Sequence, residues 1–192
     1  MLYPDDMQDH YLTGKLLVAM PYIEDLRFVQ AVIYICGHDE KGAMGIIINR
    51  PLHTLMFHEL LQQLEIDYPE NYVEVPMHQG GPMEVGRGFV LHTSDYITES
   101  TVIMPGGLAL TATLDILRAI SIGEGPQQAI LALGYVGWQP GQLEKEYQNN
   151  AWISINATPG LVFNMNLEEK WRLSMASLGI DPKVLSLEAG HS

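Results

Sequence analysis

Three short apolar runs occur early in the chain: LLVAM (16–20), QAVIYIC (30–36) and MGIIIN (44–49), each bounded by glycine, proline or charge. They are rich in β-branched residues and hardly alternate with polar ones, the pattern of strands buried on both faces. After Asn49-Arg50-Pro51 the period changes. Phe57, Leu60, Leu61 and Leu64 fall at i, i+3, i+4 and i+7, which predicts a helix with Thr54 as its cap. A stretch punctuated by Pro69, Pro76, Gly80-Gly81-Pro82, Gly86 and Gly88 then resolves into strand-like GFVLH (88–92) and TVIM (101–104), and LALTAT (108–113) continues as strand.

TLDILRAI (113–120) turns helical through Leu114, Leu117 and Ile120, and Gly123, Gly125 and Pro126 stop it. QAILALGYV (128–136) reads as another buried strand. Pro140 suits the first turn of a helix running to about Asn150, with Leu143 and Tyr147 inward. WISIN (152–156) alternates as a strand does. Asn166 with Glu169 resembles a capping box, opening a last helix whose apolar side is Trp171, Met175 and Leu178.

Strands therefore come first in a run and later alternate with helices, which predicts a mixed-sheet α/β fold (mixed α+β) rather than a regular doubly wound one. No linker-like composition separates the halves, so residues 1–192 read as one domain with flexible ends at about 1–10 and 181–192. Apolar residues make up 47% of the chain, enough for a sizeable core.

Charge narrows the partners. The formal net charge is −13, and of the ten basic residues only Lys170 and Arg172 are near neighbours. Affinity for nucleic acid rests on phosphate neutralisation by a basic stripe, so direct nucleic-acid binding is not expected. No apolar run approaches the ~18 residues of a membrane span. MLYPDDMQDH is acidic where a secretory signal is basic. One cysteine, Cys36, excludes an internal disulfide and fits a reducing cytoplasm; at the end of VIYIC it reads as a small buried hydrophobe rather than a nucleophile.

The least generic stretch is GYVGWQPGQLEKE (134–146). Its glycines follow a strand and precede a helix, as in phosphate loops, but the spacing is neither G-x-G-x-x-G nor the P-loop pattern. No nucleotide cofactor is implied; the glycines, Gly137 among them, read as a tight strand-to-helix turn, with an unconventional small-ligand site as the other reading. The seven histidines form no metal-ligand spacing, so no metal is expected. No serine sits in a nucleophile elbow. His38-Asp39 reads as the start of a hairpin. Gly80, Gly81 and Pro82 read as a turn needing positive φ. Asn49 and Arg50 end a buried strand, where ligands gather in sheets with parallel strands, although Asn49 equally suits backbone capping. Trp138 suits a cleft wall or a helix–sheet wedge. Glu144 and Glu146 read as a general base or a solvated helix face, and Gln142 has no evident reason to be an amide.

Three blocks together resemble the AlgH/YqgE family of bacterial proteins: GKLLVAMP…FVQAVIYICGHDEKGAMGIIINRP (14–51), QGGPMEVGRGFVLH (79–92) and GPQQAILALGYVGWQPGQLEKEYQNNAW (125–152). The likeness covers the chain from Gly14 to about Leu178. It implies a single α/β domain whose branched sheet forms a pseudo-barrel flanked by about four helices, and a cytosolic setting. One branch of the family is labelled a transcriptional regulator of alginate production, and no settled activity comes with the resemblance. The family pattern maps onto Asn49, Pro51, Gly80 to Pro82, Gly137, Trp138, Gln142, Leu143 and Glu144; Gln139-Pro140-Gly141 departs from it and stiffens the helix start.

The resulting expectation is a non-catalytic binding or regulatory protein, with a groove lined by Asn49, Arg50, Trp138, Gln142 and Glu144 for a small molecule or a protein segment. The alternative is a hydrolase on a small anionic substrate, with Arg50 holding the anion and Glu144 activating water. A second alternative is a transcriptional regulator acting indirectly.

Overall fold

The computed structural model describes residues 11–181 and 183–184, so the expected flexible ends lie almost wholly outside the described residues. The early apolar runs form β1 (Lys15–Ala19), β2 (Val32–Asp39) and β3 (Gly42–Ile47), an antiparallel meander. Leu16–Ala19, 31–35 and 45–48 are all buried, as their unalternating sequences require. Alternate residues serve two cores. Leu16, Val18, Val32, Tyr34, Ile46 and Ile48 enter one cluster, while Leu17, Ala19, Ile33, Ile35 and Ile47 enter another on the opposite face.

The remaining strands are β4 (Met77–Gln79), β5 (Met83–Thr93), β6 (Val102–Met104), β7 (Leu108–Thr111), β8 (Ala129–Trp138) and β9 (Trp152–Asn156), in the order β6-β7-β5-β8-β3-β2-β1-β9. β8 is the branch point. Its first half pairs antiparallel with β5 on one side and parallel with β4 on the other; its second half, Val136–Trp138, leaves β4 and pairs antiparallel with β3. The sheet is curled into a half-barrel. Its two ends converge: a Cβ built on Gly106, in the β6–β7 turn, would lie 2.9 Å from the Ala157 carbonyl just after β9. The first cluster draws on eight of the nine strands and is the barrel interior.

Five α-helices cover this sheet among the described residues: α1 (Phe57–Gln63), α2 (Asp115–Ser121), α3 (Gln142–Gln148), α4 (Pro159–Val162) and α5 (Leu167–Ala176). The apolar sides of α1 and α2 pack on Met77, Val90 and Leu131. α3 and the 3-10 turn Leu26–Phe28 cover the outer face of β1–β3. α5 closes the interior with Trp171 and Met175; the Trp171 indole donates to the Ala19 carbonyl at 2.7 Å.

Several local expectations are corrected. Met56 rather than Thr54 precedes α1, and Glu59 caps it by accepting from the Met56 N–H at 2.7 Å. Pro140 lies outside α3, whose N-cap is Gly141 at φ +77, a left-handed conformation open to glycine. Tyr147 and Leu178 are exposed rather than inward. α4 was not anticipated, although Thr158 before Pro159 is a helix-start signal, and the Thr158 hydroxyl accepts from the Leu161 N–H.

The glycine-rich segments meet the turn expectation only in part: Gly81 (φ +156) and Gly134 (φ +80) do adopt positive φ, but at a close crossing of two backbones rather than in a free turn. Gly80 and Gly81 run against Gly134 and Tyr135 with no room for side chains: a Cβ on Gly80 would sit 2.2 Å from the Gly134 carbonyl oxygen, and one on Gly81 2.2 Å from that of Tyr135. Gly134 and Gly137 lie inside β8 itself. Gly80, Gly81 and Gly134 serve close backbone approach, Gly137 leaves room for the Met83 side chain, whose sulfur would lie 2.8 Å from a Cβ there, and only Gly141 belongs to the strand-to-helix turn.

Two buried bases are features of the interior that periodicity did not reveal. Lys170 is fully buried and donates to the carbonyls of Ile48 (3.0 Å) and Val162 (2.7 Å); burial lowers its ammonium to about 8. His78 is buried with neither ring nitrogen in a hydrogen bond of normal geometry, and desolvation, reinforced by the Lys170 charge, lowers it to about 4. An unfolded histidine takes its proton near 6.5. Between those values the unfolded chain holds more protons than the folded one, so stability is full above pH ~6.5 and is lost as pH falls toward 4, by about 3 kcal/mol for this ring. In urea titrations across that range, His78→Met should show the flatter pH dependence. Gly80→Ala should cost about 3 kcal/mol through overpacking, whereas Gly160→Ala, with open space around it, should leave the urea midpoint nearly unchanged.

Candidate functional site

The segment between β1 and β2 shapes the surface around the ends of β3 and β8. Asp25 caps the 3-10 turn by accepting from the Arg27 N–H, and its carboxylate also grips the Arg27 guanidinium at 2.7 Å. Phe28 turns inward against Trp152, with ring centroids 5.7 Å apart. Asn49 then ties the segment down. Its Oδ1 accepts from the Val32 N–H (2.9 Å) and its amide donates to the Gln30 carbonyl (2.8 Å). Both functional ends of Asn49 are therefore spent on backbone, the capping role open to it from sequence.

Arg50, the next residue, is left differently placed. It lines a cavity of about 580 Å³ whose other walls include Phe28, Ile47, Leu52, Leu55, Gln79, Pro82 and Leu133, with Arg27 at one side. Among the described residues its guanidinium makes one hydrogen bond, a long contact to the Val29 carbonyl at 3.5 Å, and has no acidic partner. Partial burial holds its guanidinium below the usual arginine range. A desolvated cation without a counter-charge is costly, and such a group beside an apolar hollow is poised to gain from an anion.

Trp138 does not form a wall opposite Arg50. It is only 6% exposed, packs edge-to-face on Trp152, and faces the outer core with Leu143. Both indoles donate to one acceptor: the Glu146 Oε2 lies 2.9 Å from the Trp138 Nε1 and 2.9 Å from the Trp152 Nε1. Gln142 completes the arrangement. Its amide nitrogen donates to the Glu146 Oε1 at 3.1 Å, while its oxygen accepts from the Gln139 N–H at 2.9 Å. Only an amide offers both a donor and an acceptor, which is the reason for glutamine at 142. In sequence, the role of Glu146 is signalled only by its spacing of four from Gln142, one helical turn.

Glu144 projects elsewhere. Its Oε1 meets the His38 Nε2 at 2.7 Å, and the His38 Nδ1 accepts from the Leu12 N–H at 3.0 Å. An acceptor at Nδ1 places the ring proton on Nε2, so His38 donates to Glu144. The pair clasps α3 to the β2–β3 hairpin, the hairpin expected at His38-Asp39. Thus the five residues expected to share a groove do not share one. Arg50 lines the large cavity, Trp138 and Gln142 border a small one of about 110 Å³, and Asn49 and Glu144 line neither. Cys36 packs against the interior cluster with its thiol pushed up to about 12 by burial, which removes nucleophilic character at neutral pH. Among the described residues no three His, Cys, Asp or Glu side chains gather as a metal site would need, and no helix is long and apolar enough to cross a membrane.

The family model described as AlgH-like matches residues 16–183. The chain belongs to the AlgH-like family. A UPF0301 protein of Rhodopseudomonas palustris is 52% identical over 193 residues, covering 96% of this chain and 88% of the relative. One from Methylocella silvestris is 50% identical over 190 residues, covering 95% and 92%. Among solved structures, the AlgH protein of Pseudomonas aeruginosa superposes with a TM-score of 0.76 at 38% identity, across 100% of this chain and 99% of that one. A Corynebacterium diphtheriae protein shares the fold, with a TM-score of 0.73 at 20% identity over 91% of each chain. The fold of this AlgH-like chain is thus the family's fold, and the three quoted blocks that carried the resemblance lie on the β1–β3 meander, the Gly80–Gly134 crossing and α3.

The hub at Glu146 has a measurable weight. Glu146→Ala strands two nearly buried indole N–H groups and should cost about 2–3 kcal/mol, with tryptophan emission shifting to the red. Glu144→Gln keeps an oxygen for His38 to donate to and should cost less than about 1 kcal/mol; equal losses in the two variants would contradict the difference assigned to them.

Proposed function

We propose that this AlgH-like protein is a non-catalytic binding protein whose ligand places an anionic group on Arg50 and an apolar body against Leu52, Leu55 and Leu133. The supporting observation is the half-buried Arg50 guanidinium, without an acidic partner among the described residues, in the wall of a largely apolar cavity of about 580 Å³. That volume lies in the range of small-molecule sites, roughly 300–1,000 Å³. The ligand class is a carboxylate or phosphate carried on an apolar frame, as a free small molecule or as part of a protein segment.

A hydrolase would need a base beside the anion. Glu144, the base expected from sequence, is engaged with His38 and does not line this cavity, so the binding reading is preferred. A regulatory role would run through the bound ligand rather than through DNA, since a net charge of −13 repels phosphate backbones. The single cysteine accords with a cytosolic setting for such a role.

The test is calorimetric titration with aromatic carboxylates and phosphates, benzoate and phenyl phosphate first. Arg50→Met keeps the apolar stem and removes the charge, and should weaken binding by at least ~10-fold, the scale of a lost charge-assisted hydrogen bond. Asn49→Asp would disturb the loop anchor and is the wrong probe. Affinity undiminished in a folded Arg50→Met protein would refute the reading.

A further inference from the structure

Strand register sets Gln79 beside Arg50. Pro51 and His78 form an antiparallel bridge, flanked by bonds from the Leu52 N–H to the Met77 carbonyl and from the Gln79 N–H to the Arg50 carbonyl, each at 2.9 Å. Arg50 therefore stands directly across from Gln79, with Cβ atoms about 5 Å apart and both side chains on the face away from His78. His78 is buried in the interior, whereas Arg50 and Gln79 both line the cavity of about 580 Å³. The contrast with Gln142 is informative. Gln142 engages its donor with Glu146 and its acceptor with the Gln139 backbone. The side-chain amide of the exposed Gln79 bonds to nothing among the described residues.

The two side chains ask for different things. A guanidinium only donates and matches a carboxylate, whereas a carboxamide donates and accepts in one plane. Their joint complement is an anion followed at once by a group that also donates and accepts. A secondary amide is such a group, and in an acylated α-amino acid a single carbon separates it from the carboxylate. Leu52, Leu55 and Leu133 in the remaining wall favour an apolar side chain on that carbon. We propose that the Arg50 cavity binds an N-acylated α-amino acid with an apolar side chain, its carboxylate on Arg50 and its amide on Gln79. A free molecule and the last residue of a peptide present the same chemistry. The inference rests on the Arg50 reading and adds to it the contact with Gln79.

N-Acetyl-L-leucine is the probe in calorimetric titration. Its controls are 4-methylpentanoate, which keeps the carboxylate and the apolar chain but lacks the acetamido group, and N-acetyl-L-leucinamide, which lacks the charge. N-Acetyl-L-leucine should bind about fivefold more tightly than 4-methylpentanoate, the scale of one net hydrogen bond. It should bind at least ~10-fold more tightly than the uncharged amide. Gln79→Met, an exposed change of similar length, should abolish the first preference and leave 4-methylpentanoate binding unchanged. Arg50→Met should abolish the second. Tighter binding of acetyl-Ala-Leu than of N-acetyl-L-leucine assigns the ligand to a peptide terminus, and weaker binding to a free acylated amino acid; either upholds the shared chemistry. Equal affinity for N-acetyl-L-leucine and 4-methylpentanoate, both dependent on Arg50, would overturn this proposal and leave the anion site standing. A loss in Gln79→Met shared equally by the two carboxylates would also overturn it, because Gln79 would then only shape the wall. Absence of Arg50-dependent binding by every carboxylate, benzoate included, would remove both readings.

Discussion

The fold depends on one crossing of two backbones. Where residues 80–81 pass residues 134–135, the chains touch with carbonyl oxygens where side chains would otherwise stand. That contact lets β8 hold β4 along its first half and β3 along its second, so one strand joins both parts of the curled sheet. Bulk at the crossing would push β4 from β8 and open the wall formed by Gln79, Gly81 and Leu133. The Arg50 cavity thus owes its shape to the absence of side chains a few ångströms away.

The way polar groups are assigned around that cavity explains why neighbouring residues differ in availability. Asn49 is consumed by the Gln30–Val32 backbone, and in being consumed it holds the segment that frames Arg50. On α3, Gln142, Glu144 and Glu146 each have a specific partner within the protein: the Gln139 backbone, His38 and the paired indoles. A helix face that looks solvated in sequence is in fact the means of locking three separate segments together.

Much of the architecture was legible from hydrophobic period. The β1–β3 meander, the α1 stripe, the α2 position and the capped start of α5 follow from local rules, because burial on two faces or one leaves a clear signature. Glycine at 134 and 137 carries no local mark that separates a turn from close approach, and only the partner segment, more than fifty residues away, distinguishes them. Site reading failed more often for the same reason. Nothing local shows that Trp138 shares its acceptor with Trp152, that Glu144 reaches back to His38, or that Lys170 points into the barrel. Arg50 stands out in sequence by its place at a strand end, a topological argument, and its lack of a counter-charge among the described residues is visible only once the surrounding chain is in place.

The branched pairing of β8 also bears on how the chain reaches this state. Its partners lie some forty to ninety residues upstream, so each ladder closes a long loop and β8 joins late. Before it docks, the β1–β3 meander presents the bare edge of β3, carrying Gly42–Ile47, and β5 presents a second edge. Unpaired edges of that kind invite pairing with another chain. The same strand that unifies the finished domain is therefore the one whose delayed arrival leaves the nascent protein most open to association with its own copies.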